Sequence, residues 1–81
     1  MSRYNELGLT LREMDVLQYI TDFKIVNGFA PTISEIANGI LTSRSFVRDC
    51  LYRLQDKGFI RYDDTKRRSI VVLRLVHKQI S

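Results

Sequence analysis

Three consecutive cations, Lys66, Arg67 and Arg68, follow Asp63, Asp64 and Thr65 in a polar stretch. Long basic side chains on a short loop suit a phosphate backbone, because they neutralise charge without strict placement and bind in a strongly salt-dependent way. Residues 43–57 carry a second set. Val47, Cys50, Leu51 and Leu54 fall on one side of a helix, which leaves Arg44, Ser45, Arg48, Asp49 and Tyr52 outside or on the flanks. Arg44 or Arg48 has the forked geometry that pairs with guanine O6 and N7, while Ser43 and Ser45 can bond bases or phosphates. Phe46, about 100° around the helix from Val47, is either a rim residue of the core or an apolar surface for a thymine methyl. Arg53, Lys57 and Arg61 are further candidate phosphate contacts, whereas Arg74 and Lys78 read as strand and tail charges.

Other chemistries find little to work with. One cysteine, Cys50, and one histidine, His77, provide no internal disulfide, no metal-ligand spacing and no nucleophile, base and orienting partner. Cys50 reads as a small buried apolar residue, and Asp63-Asp64 as turn chemistry. Hence no enzyme, cofactor, metal or small-molecule ligand is expected. The charge is unevenly spread. Residues 1–42 hold three basic and five acidic side chains, net −2, whereas residues 43–81 hold ten basic and four acidic, net +6. This asymmetry favours a polyanionic partner. The longest apolar run, residues 70–73, is far below the roughly 20 residues that span a bilayer, and no signal layout opens the chain. A cytoplasmic, nucleoid-associated protein with no membrane partner is expected.

At 81 residues the chain has room for a single domain, with a core over about residues 9–76 and tails at 1–8 and 77–81. Thr10 with Glu13 three residues on fits a capping box and opens a first helix over 11–26. Leu11, Met14, Leu17, Ile20 and Phe23 form its expected core stripe, with Val16 beside them, and Asn27-Gly28 stops it. After the tight connection Gly28-Phe29-Ala30-Pro31, Thr32 and Glu35 repeat the box before a short helix over 33–39. Thr42 or Ser43 caps a third helix running to about Lys57, with Gly58 as a left-handed stop. Strand-like runs at 59–62 and 69–76 flank the basic loop, and residues 28–32 offer at most a strand stub. The reading is α+β: a winged helix-turn-helix of three helices followed by a two-stranded β-hairpin wing, presenting its third helix to the major groove.

The segments Leu9-Thr10-Leu11-Arg12-Glu13-Met14-Asp15-Val16-Leu17, Gly28-Phe29-Ala30-Pro31-Thr32-Ile33-Ser34-Glu35-Ile36-Ala37, Leu51-Tyr52-Arg53-Leu54-Gln55-Asp56-Lys57-Gly58-Phe59-Ile60-Arg61 and Asp64-Thr65-Lys66-Arg67-Arg68-Ser69-Ile70 occur in that order. Together they resemble the amino-terminal DNA-binding domain of LexA-type repressors. The resemblance implies base contacts from Ser43, Ser45, Phe46, Arg48 and Asp49. It also implies phosphate contacts from Arg12, Thr32, Ser34, Lys57, Lys66 and Arg67. The turn before the third helix reads one residue shorter than in that family, with Gly39 early and Leu41 where glycine is usual. Arg44, Phe46 and Arg48 are not the reading residues of the familiar repressors, so an operator preference does not transfer. No counterpart of the family's peptidase domain or cleavage linker is present in the sequence, and self-cleavage is not expected.

The expected function is therefore sequence-specific binding of double-stranded DNA by a prokaryotic or phage transcription regulator, a repressor by resemblance. It would act as a homodimer or as paired monomers on neighbouring half-sites, with residues 76–80 or the first helix as the contact. The alternative is a protein-interaction winged helix that binds another regulator or polymerase, for which the basic loop is incidental. Double-stranded RNA fits poorly, since its narrow major groove excludes a helix.

Overall fold

Side-chain caps determine where each helix begins. In the computed structural model, which describes residues 7–74, α1 (Leu11–Asn27) and α2 (Ile33–Gly39) each open on a complete capping box. Thr10 Oγ1 accepts from the Glu13 amide at 3.1 Å and the Glu13 carboxylate accepts from the Thr10 amide at 3.0 Å. Thr32 and Glu35 repeat the exchange at 3.2 and 2.8 Å. α3 (Arg44–Asp56) has Ser43 as its cap, with Oγ accepting from the Phe46 amide at 3.1 Å. Phenylalanine at the third position cannot reach back, so that box stays half-made. Gly28 (φ 81°) and Gly58 (φ 84°) supply the left-handed residues that turn the chain away from α1 and α3.

Three helices and the strands β1 (Ile60–Arg61) and β2 (Val71–Val72) close around one apolar cluster. It takes Val16, Leu17 and Ile20 from α1, Ile36 and Ala37 from α2, and Val47, Cys50, Leu51 and Leu54 from α3. Phe59, Ile60 and Ile70 come from the hairpin, and Leu9 and Ala30 from the connections. The strands pair antiparallel, Ile60 opposite Val72 and Arg61 opposite Val71. Residues 28–32 form no strand. The expected second strand shortens to two residues within the described chain, while residues 75–76, the tail at 76–80, His77 and Lys78 lie outside the described residues. None of the described helices is long and apolar enough to cross a membrane.

The inward face of α1 differs from the expected stripe. Leu11 is 79% exposed and Phe23 only half-buried, whereas Glu13, Val16, Leu17, Ile20 and Thr21 point inward. Steps of three residues fall about 60° short of a full turn, so a row built on them winds off the core within two turns. Alternating steps of three and four hold the face. That spacing puts Glu13 inside, at 0% exposure. Arg53 Nε and Lys57 Nζ meet its two oxygens at 2.8 and 2.7 Å, and Lys57 Nζ also bonds the Gly8 carbonyl at 2.8 Å. A cap of α1 thereby becomes the tie that holds α3 against it.

The α2–α3 turn carries one of the two left-handed non-glycine residues among the described residues, the other being Arg68. A Cβ at Gly39 would meet the outer edge and hydroxyl of the Tyr19 ring on α1, so glycine there leaves room for that ring. Leu41 then takes φ 59°, left-handed for a residue with a branched side chain, and is 90% exposed. Glycine or asparagine suits this position better. Leu41→Gly is expected to raise stability by about 1 kcal/mol, relief of the left-handed strain outweighing the added chain entropy. Gly39→Ala is expected to lower it, although alanine is the better helix former by about 1 kcal/mol. Urea midpoints at constant slope check both, and a stabilised Gly39→Ala together with a weakened Leu41→Gly contradicts this account of the turn.

Candidate nucleic-acid interface

α3 sorts its polar residues by angle. With Val47, Cys50, Leu51 and Leu54 inside, successive steps of about 100° place Arg44, Arg48 and Tyr52 along one flank, Ser45 and Asp49 outermost, and Phe46, Arg53 and Lys57 along the other flank. The flanks have different neighbours. Arg44 and Arg48 border an open groove of about 540 Å³, walled on one side by Thr32 and Ser34 at the start of α2 and on the other by Thr65, Lys66 and Arg67 of the hairpin loop. Ser43, Arg44, Ser45, Arg48 and Asp49 are all exposed. Arg44 Nη1 lies 3.4 Å from Ser34 Oγ, joining the beginnings of α2 and α3.

The opposite flank faces α1 and is partly taken up by packing. Phe46 is half-buried against the core, with the Arg12 guanidinium 5.6 Å from its ring centre. Arg12 also bonds the Ile40 carbonyl at 3.2 Å and Asp15 at 3.3 Å, so it braces the α2–α3 turn. Arg53 and Lys57, expected to face phosphates, are bonded to Glu13. The cause lies in that buried carboxylate, which must be paired and finds its cations one turn apart on α3. Cys50 is buried, which pushes its thiol pKa up, and Arg53 Nη2 donates to its Sγ at 3.3 Å.

The loop between the strands is ordered by its own side chains. Asp63 accepts from the Thr65 amide at 3.0 Å and from its hydroxyl at 2.6 Å, an Asx-type turn that lowers the Asp63 pKa. Ser69 Oγ closes the base of the loop, accepting from the Asp63 amide and donating to its carbonyl. Three cations were expected at the tip, and only Lys66 and Arg67 stand there, both exposed. Arg68, at φ 53°, turns back to bond the Ala30 carbonyl at 3.0 Å and Glu35 at 2.8 and 3.2 Å, stacking 4.6 Å from the Phe29 ring centre. Glu35 needs a partner for the oxygens its capping role leaves open, and an arginine fork supplies it. On the α3 side, Tyr52 donates to Asp64 at 2.7 Å and Gln55 accepts from the Tyr62 amide at 2.7 Å. In the sequence Tyr52 reads as a flank residue of the third helix, and both capping glutamates read as local. The inward spacing of Glu13 with Val16, Leu17 and Ile20 was the available signal for the first. For Glu35 and Tyr52, whose partners lie 33 and 12 residues away, the sequence carries none.

Thr32, Ser34, Arg44, Arg48, Thr65, Lys66 and Arg67 thus border one groove, whose walls can meet anionic oxygens from two sides. Among the described residues no three His, Cys, Asp or Glu side chains gather into a possible metal site.

The family model described as the LexA DNA binding domain matches residues 6–69. The LexA repressor of Halalkalibacterium halodurans is 41% identical over 68 residues, covering 83% of this chain and 33% of the relative. That of Shouchella clausii is 43% identical over 68 residues with the same coverage, and that of Bacillus velezensis 41% identical over 66 residues, covering 80% and 32%. The chain spans about a third of the length of these curated relatives.

Two glutamates link stability to pH. Glu35 is lowered from an ordinary 4.5 to about 2, first by Arg68 and then by the Thr32 amide. For Glu13, burial is the largest influence and pushes its pKa up, but bonds from Lys57, Thr10 and Arg53 together outweigh it and the net shift is downward. A carboxylate with a depressed folded pKa contributes stability that is complete above its unfolded value and is lost as pH falls through the folded one. Urea midpoints should therefore be flat from neutrality to about pH 5 and decline toward pH 2. Glu13→Gln should cost about 2 kcal/mol at neutral pH, below the usual figure for a broken buried pair because Arg53 and Lys57 can regain water. Stability that rises on acidification would falsify this assignment.

Proposed function

Because the chain belongs to the LexA DNA-binding domain family, we propose that it is the operator-reading part of a transcription repressor, with α3 in the major groove and the hairpin wing along the neighbouring backbone. Arg44 and Arg48 take guanine edges, Asp49 accepts from a cytosine amino group, Ser43 and Ser45 bond bases or nearby phosphates, and the exposed edge of Phe46 meets a thymine methyl. Thr32, Ser34, Thr65, Lys66 and Arg67 hold the phosphates, joined by Arg12 at the start of α1. Arg53, Lys57 and Arg68 contribute positive field but keep their carboxylate partners, since releasing Glu13 would leave a buried charge unpaired. No catalytic step is assigned to the chain.

The observation that supports this reading most directly is the shared groove bordered by Arg44 and Arg48 of α3 and by Lys66 and Arg67 of the hairpin loop. Such spacing lets one element sit among base edges while the next grips a strand. A module of this size offers an interface of about 600–1,000 Å², so two copies on paired half-sites are proposed to supply the affinity and specificity one lacks.

Selection from random duplexes tests the reading, and a recovered consensus should show half-site spacing as well as sequence. On the selected duplex, Lys66→Ala with Arg67→Ala should weaken binding to all sequences alike and reduce the salt slope by about 2. Arg48→Ala should cost about 1–3 kcal/mol at one base position and relax specificity there. Failure to recover any consensus, or binding indifferent to salt, would exclude the proposed function.

A further inference from the structure

The wing holds an acid where an acid is unwelcome. Asp64 lines the same groove as Arg44, Arg48, Lys66 and Arg67, two residues before the first tip cation. An unrestrained carboxylate there opposes DNA in two ways: it repels phosphates directly, and it competes with them for Arg48 on α3 and for Lys66 and Arg67 on its own loop. Asp64 is restrained. Its Oδ2 accepts from the Tyr52 hydroxyl at 2.7 Å, while the Tyr52 ring packs edge-on against Tyr62, centroids 5.8 Å apart. Tyr52 is one helical turn beyond Arg48, on the flank of α3 that faces the loop.

Resting on the DNA-binding reading above, we propose that Tyr52 is a positioning residue that turns the Asp64 carboxylate onto α3, so that the wing presents Lys66 and Arg67 to the backbone without an intervening acid. Two features agree with this. The residues at either end of the tip are both fastened, Asp64 to Tyr52 and Arg68 to Glu35, the two cations between them point outward, and Asp63, whose charge Lys66 feels, is itself held by the Thr65 amide and hydroxyl. The Tyr52–Asp64 bond is also exposed and bridges a hairpin already anchored by Ile60, Ile70 and the Gln55–Tyr62 bond. A bond in that setting adds little to folding, so its effect should show in binding.

A double-mutant cycle separates this role from a structural one. Binding of a short fluorescent duplex of mixed sequence is measured against salt for the wild type, Tyr52→Phe, Asp64→Asn and the double variant, with thermal midpoints alongside. Tyr52→Phe should keep the midpoint within a few degrees, bind about fivefold more weakly at low salt and show a shallower salt slope. Asp64→Asn should bind at least as tightly as the wild type. It keeps an acceptor for the tyrosine and loses the charge, so adding Tyr52→Phe to it should change little. A Tyr52→Phe effect of equal size in both backgrounds overturns the proposal, since it would act through Arg48 or wing placement instead. No effect in the wild-type background overturns it too, and the DNA reading survives as long as the wild type binds. A wild type that fails to bind duplex removes both.

Discussion

A fully buried glutamate at the start of α1 is the constraint to which the other elements answer. A carboxylate out of water costs several kcal/mol unless it is paired and hydrogen-bonded. Glu13 meets that demand with the Thr10 amide, Arg53 and Lys57. The hydrophobic gain between α1 and α3 is non-directional, so it specifies rotation and height less sharply than charged hydrogen bonds do. Two charged bonds at 2.8 and 2.7 Å, made from residues one turn apart on α3, fix both its rotation and its height against α1. The outward flank of α3 is then determined: with Arg53 and Lys57 turned in, Arg44 and Arg48 must face the hairpin.

The second capping box repeats the device on a more exposed stage. Glu35 caps α2 through Thr32 and receives Arg68 from the wing, so α2 and the hairpin are joined by the same kind of bond that joins α1 and α3. In each case the capping role pins the glutamate side chain back toward the helix start, and its remaining lone pairs are presented in a fixed direction. A cation far along the chain finds a preformed receptor, because the glutamate's own rotamer entropy is already spent on capping. The second half of the chain is strongly basic, yet Arg53, Lys57 and Arg68 serve the fold. Lys66, Arg67, Arg44 and Arg48 remain turned to the groove.

Much of this was legible in the chain. Caps and stops are local, so Thr10, Thr32, Ser43, Gly28 and Gly58 set helix boundaries that the structure matches within a residue. The α3 core row was equally plain, because Val47, Cys50, Leu51 and Leu54 alternate steps of three and four. The α1 face is harder to read, because Leu11 and Phe23 are apolar by type yet lie off the inward angle. Membership of the basic cluster said nothing about direction either: Arg68 and Lys66 are neighbours in sequence, but only Arg68 takes a left-handed φ that swings it toward Glu35. Tertiary pairing across 33 to 44 residues leaves no periodic trace, which is why the division of cations between fold and groove emerges only from coordinates.

The residue that opens the proposed reading face is also a structural part, and this limits what it can say to a base. Ser43 Oγ already accepts from the Phe46 amide, so toward DNA it has its hydroxyl proton and one remaining lone pair to offer. It can donate to guanine O6 or N7, adenine N7, thymine O4 or a phosphate oxygen, while the cap bond halves its capacity to accept from an amino group. Its position follows from the turn before it. Gly39 lies against Tyr19, Leu41 reverses the backbone at φ 59°, and Arg12 holds the Ile40 carbonyl. A contact made by Ser43 is therefore set by the α1–α2 packing as much as by α3. Arg48, a turn further on and free of such duties, has the latitude to choose its base.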